Sequence, residues 1–223
     1  MTFTKIGTCH IDASAQICSG AVIGKPFRPL LGGSTEDSLD ITTTIEKEVY
    51  VGYYSIVGSG TVIKEKVILD DFSIIECEVT LGSGTLVIYR AQVCNEASIG
   101  EECVIGGFMA ERVVVGKRSR VFGRIVHSQH DPKIAWDASD AEEGSAIIGD
   151  DVFIGCNATV VGPIEIESGA YICAGAIVTK PVPPQHVAYG VNKIIHYSKW
   201  QGDLQSSPLF QQYHGASRSQ GTQ

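Results

Sequence analysis

Aliphatic residues recur every six positions through the middle of the chain, at Val51, Val57, Ile63, Leu69, Ile75, Leu81, Val87, Val93, Ile99 and Ile105, without an insertion. A strand alternates with period two and a helix repeats about every 3.6 residues, so neither explains sixes held over this length. The same spacing returns at Ile11 and Ile17, at Val115 and Val121, and at Ile148, Ile154, Val160, Ile166, Ile172 and Val178. Four residues after each of these aliphatics stands Ala, Cys, Ser, Thr or Val, except where Met109, Ile125 and Ile164 take the place. Each six-residue unit therefore offers one large and one small inward position, as a short strand followed by a tight bend. Such units bury nothing alone; they stack on their neighbours into a solenoid of parallel β-strands. Glycine follows the aliphatic at Gly52, Gly58, Gly82, Gly100, Gly149 and Gly155, and is expected there to relieve unusual backbone angles at the bends.

Two interruptions and a tail break the register. The first, about residues 25–50, holds Pro26, Pro29 and Gly32-Gly33 and reads as an ordered loop or hairpin. The second, about 127–145, turns to His, Asp, Glu, Pro and Trp before the sixes resume at Ile148. Long loops set into a regular scaffold are usually functional. The solenoid is expected to occupy residues 1–183. A C-terminal extension, 184–223, would follow, with a short helix near 199–204 and a disordered end from Ser206.

Composition removes several functions. A net charge of −8 and a pI near 5.2 disfavour nucleic acid and anionic lipid as partners. No apolar run approaches the roughly 18 residues of a membrane span, and the N-terminal residues lack the apolar stretch of a signal peptide. The seven cysteines are scattered without a C-x-x-C pair, so they are expected to be reduced packing residues of a cytoplasmic protein.

The run from Ile148 to Gly155, Ile-Gly-Asp-Asp-Val-Phe-Ile-Gly, and the run from Gly169 to Pro184 closely resemble the closing signature of the hexapeptide-repeat acyltransferases. The resemblance covers about three quarters of the chain and includes the histidine-bearing loop. It implies a left-handed parallel β-helix with three hexads per coil, a homotrimer, acetyl-CoA or a related thioester as donor, and active sites between subunits. It also places coenzyme A along the last coils, against Ala158, Ala174, Gly175 and Ala176, with Lys180 and Lys193 meeting its phosphates. Those lysines read equally as solvated side chains at the end of a solenoid. Where many members carry Gly-Asn-Pro-Ala-Lys, this chain has Gly190-Val191-Asn192-Lys193.

Acyl transfer needs a base for the acceptor's proton and donors for the developing oxyanion. The resemblance puts a catalytic histidine in the second interruption, where His127 and His130 both stand. Were Val126 the inward residue, His127 would point outward from a strand end, held by rigid scaffold. His130-Asp131 resembles a histidine–aspartate step of some sugar acetyltransferases, so both histidines remain candidates beside an ordinary surface-loop origin. A zinc centre is not expected, because a catalytic zinc takes three protein ligands and only His10 lies upstream. Arg118 and Arg124, in an arginine-rich span before the loop, are candidates to bind an anionic acceptor such as a nucleotide sugar, with Asp131 and Trp136 beside them. The plainer alternative is arginines at solenoid corners pairing with Glu101, Glu102 and Glu111. A non-catalytic scaffold, or less plausibly a carbonic-anhydrase-like enzyme, are the rival functions.

Overall fold

A computed structural model describes residues 2–26, 41–128 and 144–201. His130, Asp131 and Trp136, the core of both interruptions and the end beyond residue 201 lie outside the described residues. The described chain winds as a parallel β-helix. Successive strands step from a first sheet to a second to a third, and then begin the next coil. Among the described residues the sheets hold nine, eight and ten strands.

Register follows the sixes. Ile56 pairs with Ile74 and Ile74 with Gln92 in the first sheet, so a regular coil takes eighteen residues. The aliphatic of each hexad fills the interior: Val57, Ile63, Leu69, Ile75, Leu81, Val87 and Ile105 are all fully buried. The small residue four places on is buried as well, as at Ser55, Thr61, Ser73, Thr85, Ala91 and Ala97. Buried hydroxyls are satisfied along the stack, Thr85 Oγ1 donating to the Gly100 carbonyl at 2.8 Å and Ser119 Oγ to that of Gly149 at 2.8 Å.

The glycines act differently from the expectation. The left-handed backbone conformation falls three residues after the aliphatic, on Glu48, Tyr54, Lys66, Phe72, Glu78, Arg90 and Glu102, with φ between 56 and 61°. The glycines directly after the aliphatics have ordinary φ. They are required because coils approach closely: a Cβ on Gly82 would lie 2.5 Å from the backbone of Gly100, and one on Gly58 2.5 Å from the amide of Cys77.

Met109 and Ile125 mark a local change in coil length. From the third sheet to the first, Ile105 is followed by Met109 and Val121 by Ile125, four residues where regular coils take six. Both are fully buried and hold the large inward place of the first sheet. The shortened corner is possible because glycine stands at Gly106, Gly107 and Gly123; a Cβ on Gly107 would strike the Gly123 carbonyl oxygen.

Strands Val22–Lys25, Thr43–Ile45 and Tyr50–Val51 already belong to the sheets, so the first interruption is narrower than 25–50. Winding also continues past residue 183. Val182 bridges to Ile166, and His186–Tyr189 stacks on Tyr171–Ile172 with Val187 and Ala188 fully buried. Strand Lys193–His196 then turns back antiparallel. A single 3₁₀ turn spans Tyr197–Lys199, and half of the helix expected near 199–204 lies outside the described residues.

Candidate functional site

Both interruptions leave by the same corner. The chain departs the first sheet after Lys25 and again after Val126, and rejoins the second sheet at Thr43 and Ile147. The register from Val57 through Ile75, Val93 and Met109 to Ile125 stacks the residues two places further on into one column: Ser59, Cys77, Asn95, Glu111 and His127. Continuing through Val160 and Val178, the column reaches Gly162 and Lys180. With rungs spaced about 4.8 Å, His127 and Lys180 stand roughly 10 Å apart along one edge.

Polar contacts tie the lower rungs. The Cys77 amide donates to Asn95 Oδ1 at 3.0 Å, Asn95 Nδ2 donates to Glu111 Oε1 at 3.2 Å, and Ser145 Oγ donates to the Glu111 carbonyl at 2.7 Å. The inward residue of the next coil is Ile125, so Val126 does not take that place. His127 follows at the corner itself, and both its ring nitrogens are shielded from solvent without a hydrogen-bond partner among the described residues. An unpaired buried polar group costs about 1–3 kcal/mol, and such exceptions require an explanation. Beside it, the Gly162 amide donates to the Val126 carbonyl at 2.9 Å, and Gly162, at φ 88°, leaves the approach to Ser128 open.

The donor candidates divide. Ala158 and Ala176 are fully buried, their methyls filling the interior, so only their backbone could meet a ligand. Ala174 and Gly175 are exposed at the third-to-first corner. Lys180 and Lys193 are exposed, each following one member of a clamp: the Thr179 amide donates to Asn192 Oδ1 and Asn192 Nδ2 donates to Thr179 Oγ1, each at 2.8 Å, while Lys193 Nζ lies 5.8 Å from the Tyr189 ring. Between these corners the first sheet shows Ile177, 43% exposed.

The two arginines are separated. Arg124 projects from the first sheet, its guanidinium 5.7 Å from the Phe108 ring, on the face next to His127. Arg118 stands at the second-to-third corner and grips Asp151 with both arms of its fork, Nε to Oδ1 at 2.8 Å and Nη2 to Oδ2 at 2.7 Å. That pairing pushes the Arg118 pKa up, by hydrogen bonding first and charge second. The partner is on the adjacent coil as the plainer alternative holds, but it is Asp151. Arg118 and Arg120 also flank an open recess of about 590 Å³ with Ser168 and Gln185.

Asn95 and Glu111 carry no motif and escape a reading of the sequence. Their signal is positional, two residues past an inward aliphatic in the column that ends at His127. Burial pushes the Cys94 thiol up to about 12 and the Cys103 thiol up to about 11, so neither of these two is a ready nucleophile.

Fold and repeat define the class: this is a hexapeptide-repeat parallel β-helix protein. Residues 145–180 match the family model described as bacterial transferase hexapeptide (six repeats). The chain is 30% identical over 213 residues to the bifunctional protein GlmU of Baumannia cicadellinicola, covering 85% of this chain and 44% of that protein. Against the bifunctional protein GlmU of Clostridium botulinum (strain ATCC 19397 / Type A) it is 26% identical over 221 residues, 90% of this chain and 43% of the relative. The chain thus spans less than half the length of these curated relatives. A solved UDP-N-acetylglucosamine acyltransferase is similar at 17% identity and a TM-score of 0.49, over 86% of this chain and 72% of that one.

Proposed function

We propose that the chain is a CoA-dependent acyltransferase that moves an acyl group, acetyl in the first instance, to a hydroxyl or amino group of a sugar or sugar-derived metabolite. The observation that carries this reading is His127. Its imidazole is shielded, has no partner among the described residues, and sits where the winding breaks, where a bound acceptor could hydrogen-bond to it. A neutral imidazole there takes the acceptor's proton as its oxygen or nitrogen attacks the thioester carbonyl, and returns it to the departing thiolate. Glu111, one rung away, is a carboxylate that would steady the imidazolium formed between the two steps. His130 remains the alternative base.

Lys180, two rungs along the same edge, and Lys193 would meet the phosphates of coenzyme A, with the pantetheine arm running over Ala174, Gly175 and Ile177. Arg124, on the same face, is the better candidate for an anionic acceptor, a nucleotide sugar foremost. Arg118, committed to Asp151 at another corner, is the weaker one. The site is proposed to be completed in a homotrimer. Tyr54 and Tyr89, 59% and 50% exposed, with Phe72 form an aromatic ladder along the third-to-first corner that a second subunit could cover. Phe122, by contrast, packs against Phe153 in the cluster under the C-terminal hairpin. All seven cysteines are free, in keeping with a reducing cytoplasmic setting.

The test is thiol release from acetyl-CoA against a panel of sugars, nucleotide sugars and amines, with His127→Ala and His130→Ala assayed in parallel. One variant should lose activity while retaining donor affinity. Full activity in both removes the histidine mechanism, and no release with any acceptor favours a scaffold.

A further inference from the structure

The C-terminal hairpin carries two histidines that acyl transfer does not use. His186 and His196 are Cα partners across the antiparallel pair, with ring centroids 5.2 Å apart and planes at 83°. Each Nδ1 is engaged by a neighbour two residues away, His186 by the Pro184 carbonyl at 2.8 Å and His196 by Ser198 Oγ at 2.7 Å. A carbonyl oxygen only accepts, so His186 holds its proton on Nδ1 and turns the lone pair of Nε2 the other way. The Ser198 hydroxyl can donate or accept. His196 reaches the same tautomer by rotating it, giving up only the longer contact, 3.3 Å, from the Ser198 amide. Metal-binding histidines are held in this manner, through the nitrogen that does not ligate.

Spacing selects the geometry. With a zinc–nitrogen bond of about 2.0–2.1 Å, and roughly 1.15 Å from nitrogen to ring centre, each centroid lies about 3.2 Å from the ion. Two such rings subtending a tetrahedral angle have centroids about 5.2 Å apart, whereas a right angle brings them to about 4.5 Å. The centroid spacing in the hairpin equals the tetrahedral value for rings whose Nε2 atoms converge on one ion.

We propose that His186 and His196 form a two-histidine site for a tetrahedral divalent cation, zinc, with water or an incoming ligand in the remaining positions. Bound there, the ion ties the Lys193–His196 strand to His186–Tyr189 and so braces the segment that carries Lys193. Among the described residues no group of three or more His, Cys, Asp or Glu could hold a metal, so this is a two-ligand site and weaker than a four-ligand structural one.

The test is isothermal titration of tag-free full-length protein with zinc chloride, for wild type, His186→Ala, His196→Ala and Ser198→Ala. Wild type should take up one zinc per chain. Either histidine variant should bind at least about ten-fold more weakly, and Ser198→Ala, which leaves both ligands in place, about ten-fold more weakly. Zinc should raise the melting temperature of wild type more than that of any of the three variants. No saturable uptake by wild type, or wild-type affinity in either histidine variant, overturns the proposal. If a histidine variant does not fold, unchanged affinity in Ser198→Ala overturns it instead.

Discussion

The coils from Ile45 to Ile105 and those from Ile105 to Val161 are built from the same hexads yet obey different constraints. In the first group every rung is eighteen residues long and every inward place repeats. In the second, the third-to-first corner shortens, a long interruption leaves after Val126, and a histidine sits shielded with neither nitrogen paired among the described residues. Regularity belongs to the interior, where adjacent coils must match. Departures collect at corners, where one rung can change without disturbing the next. The candidate chemistry lies where departures from the repeat accumulate.

Substitutions should separate the two regions. The largest effect is expected from His127→Ala: turnover falls by about 10²–10⁴ while donor affinity and melting temperature hold, because general-base catalysis contributes about that much and the ring makes no hydrogen bond within the described residues. Thiol-release kinetics and a melting curve check both halves, and a variant that keeps its turnover moves the base to His130. Leu69→Ala should do the reverse, destabilising by about 2–5 kcal/mol through the cavity it leaves while barely touching turnover at a permissive temperature. Denaturant unfolding measures it, and equal sensitivity of activity would blur the distinction.

Smaller effects should distinguish two kinds of glycine. Gly82→Ala drives a Cβ to 2.5 Å from the Gly100 backbone and should cost about 1–3 kcal/mol, as overpacking does. Gly169→Ala meets nothing within 4 Å and bears only the strain of φ 73°, about 1 kcal/mol. A reversed order in urea unfolding would show that backbone angle, and not coil spacing, governs glycine use. The smallest effect is expected from Arg118→Ala, whose exposed pair with Asp151 should scarcely move the melting curve. Arg124→Ala should raise the KM for a nucleotide sugar while Arg118→Ala leaves it unchanged. The opposite result would shift acceptor recognition to the recess beside Arg120.

Much of the fold is legible in the sixes, because an interior shared by stacked coils demands the same residue size at the same interval. Leu69 and Ser73 announce their burial by position alone. The role of the glycines is not legible so directly, since a close approach between residues eighteen apart leaves no mark on local composition. Met109 and Ile125 look like faults in the small position until pairing shows that the corner has lost two residues. The chain beyond Pro183 hides its last coil because Pro183-Pro184 breaks the spacing while Ala188 still fills the core and Val187 packs against Phe153 and Tyr171 on the outer face. At the site, the loop composition singles out His127, but Glu111 and Asn95 have no local signature.

By itself the sequence determined the solenoid, its interior and the place where the winding breaks, for these follow from periodicity, which is a property of neighbours along the chain. Only the tertiary structure decided which residues share an edge. The rung length converts sequence intervals of sixteen, eighteen and thirty-five residues into the same short step through space. That step aligns Glu111, His127, Gly162 and Lys180 in one column and sends Arg118 to another corner, while the closing antiparallel hairpin sets His186 opposite His196.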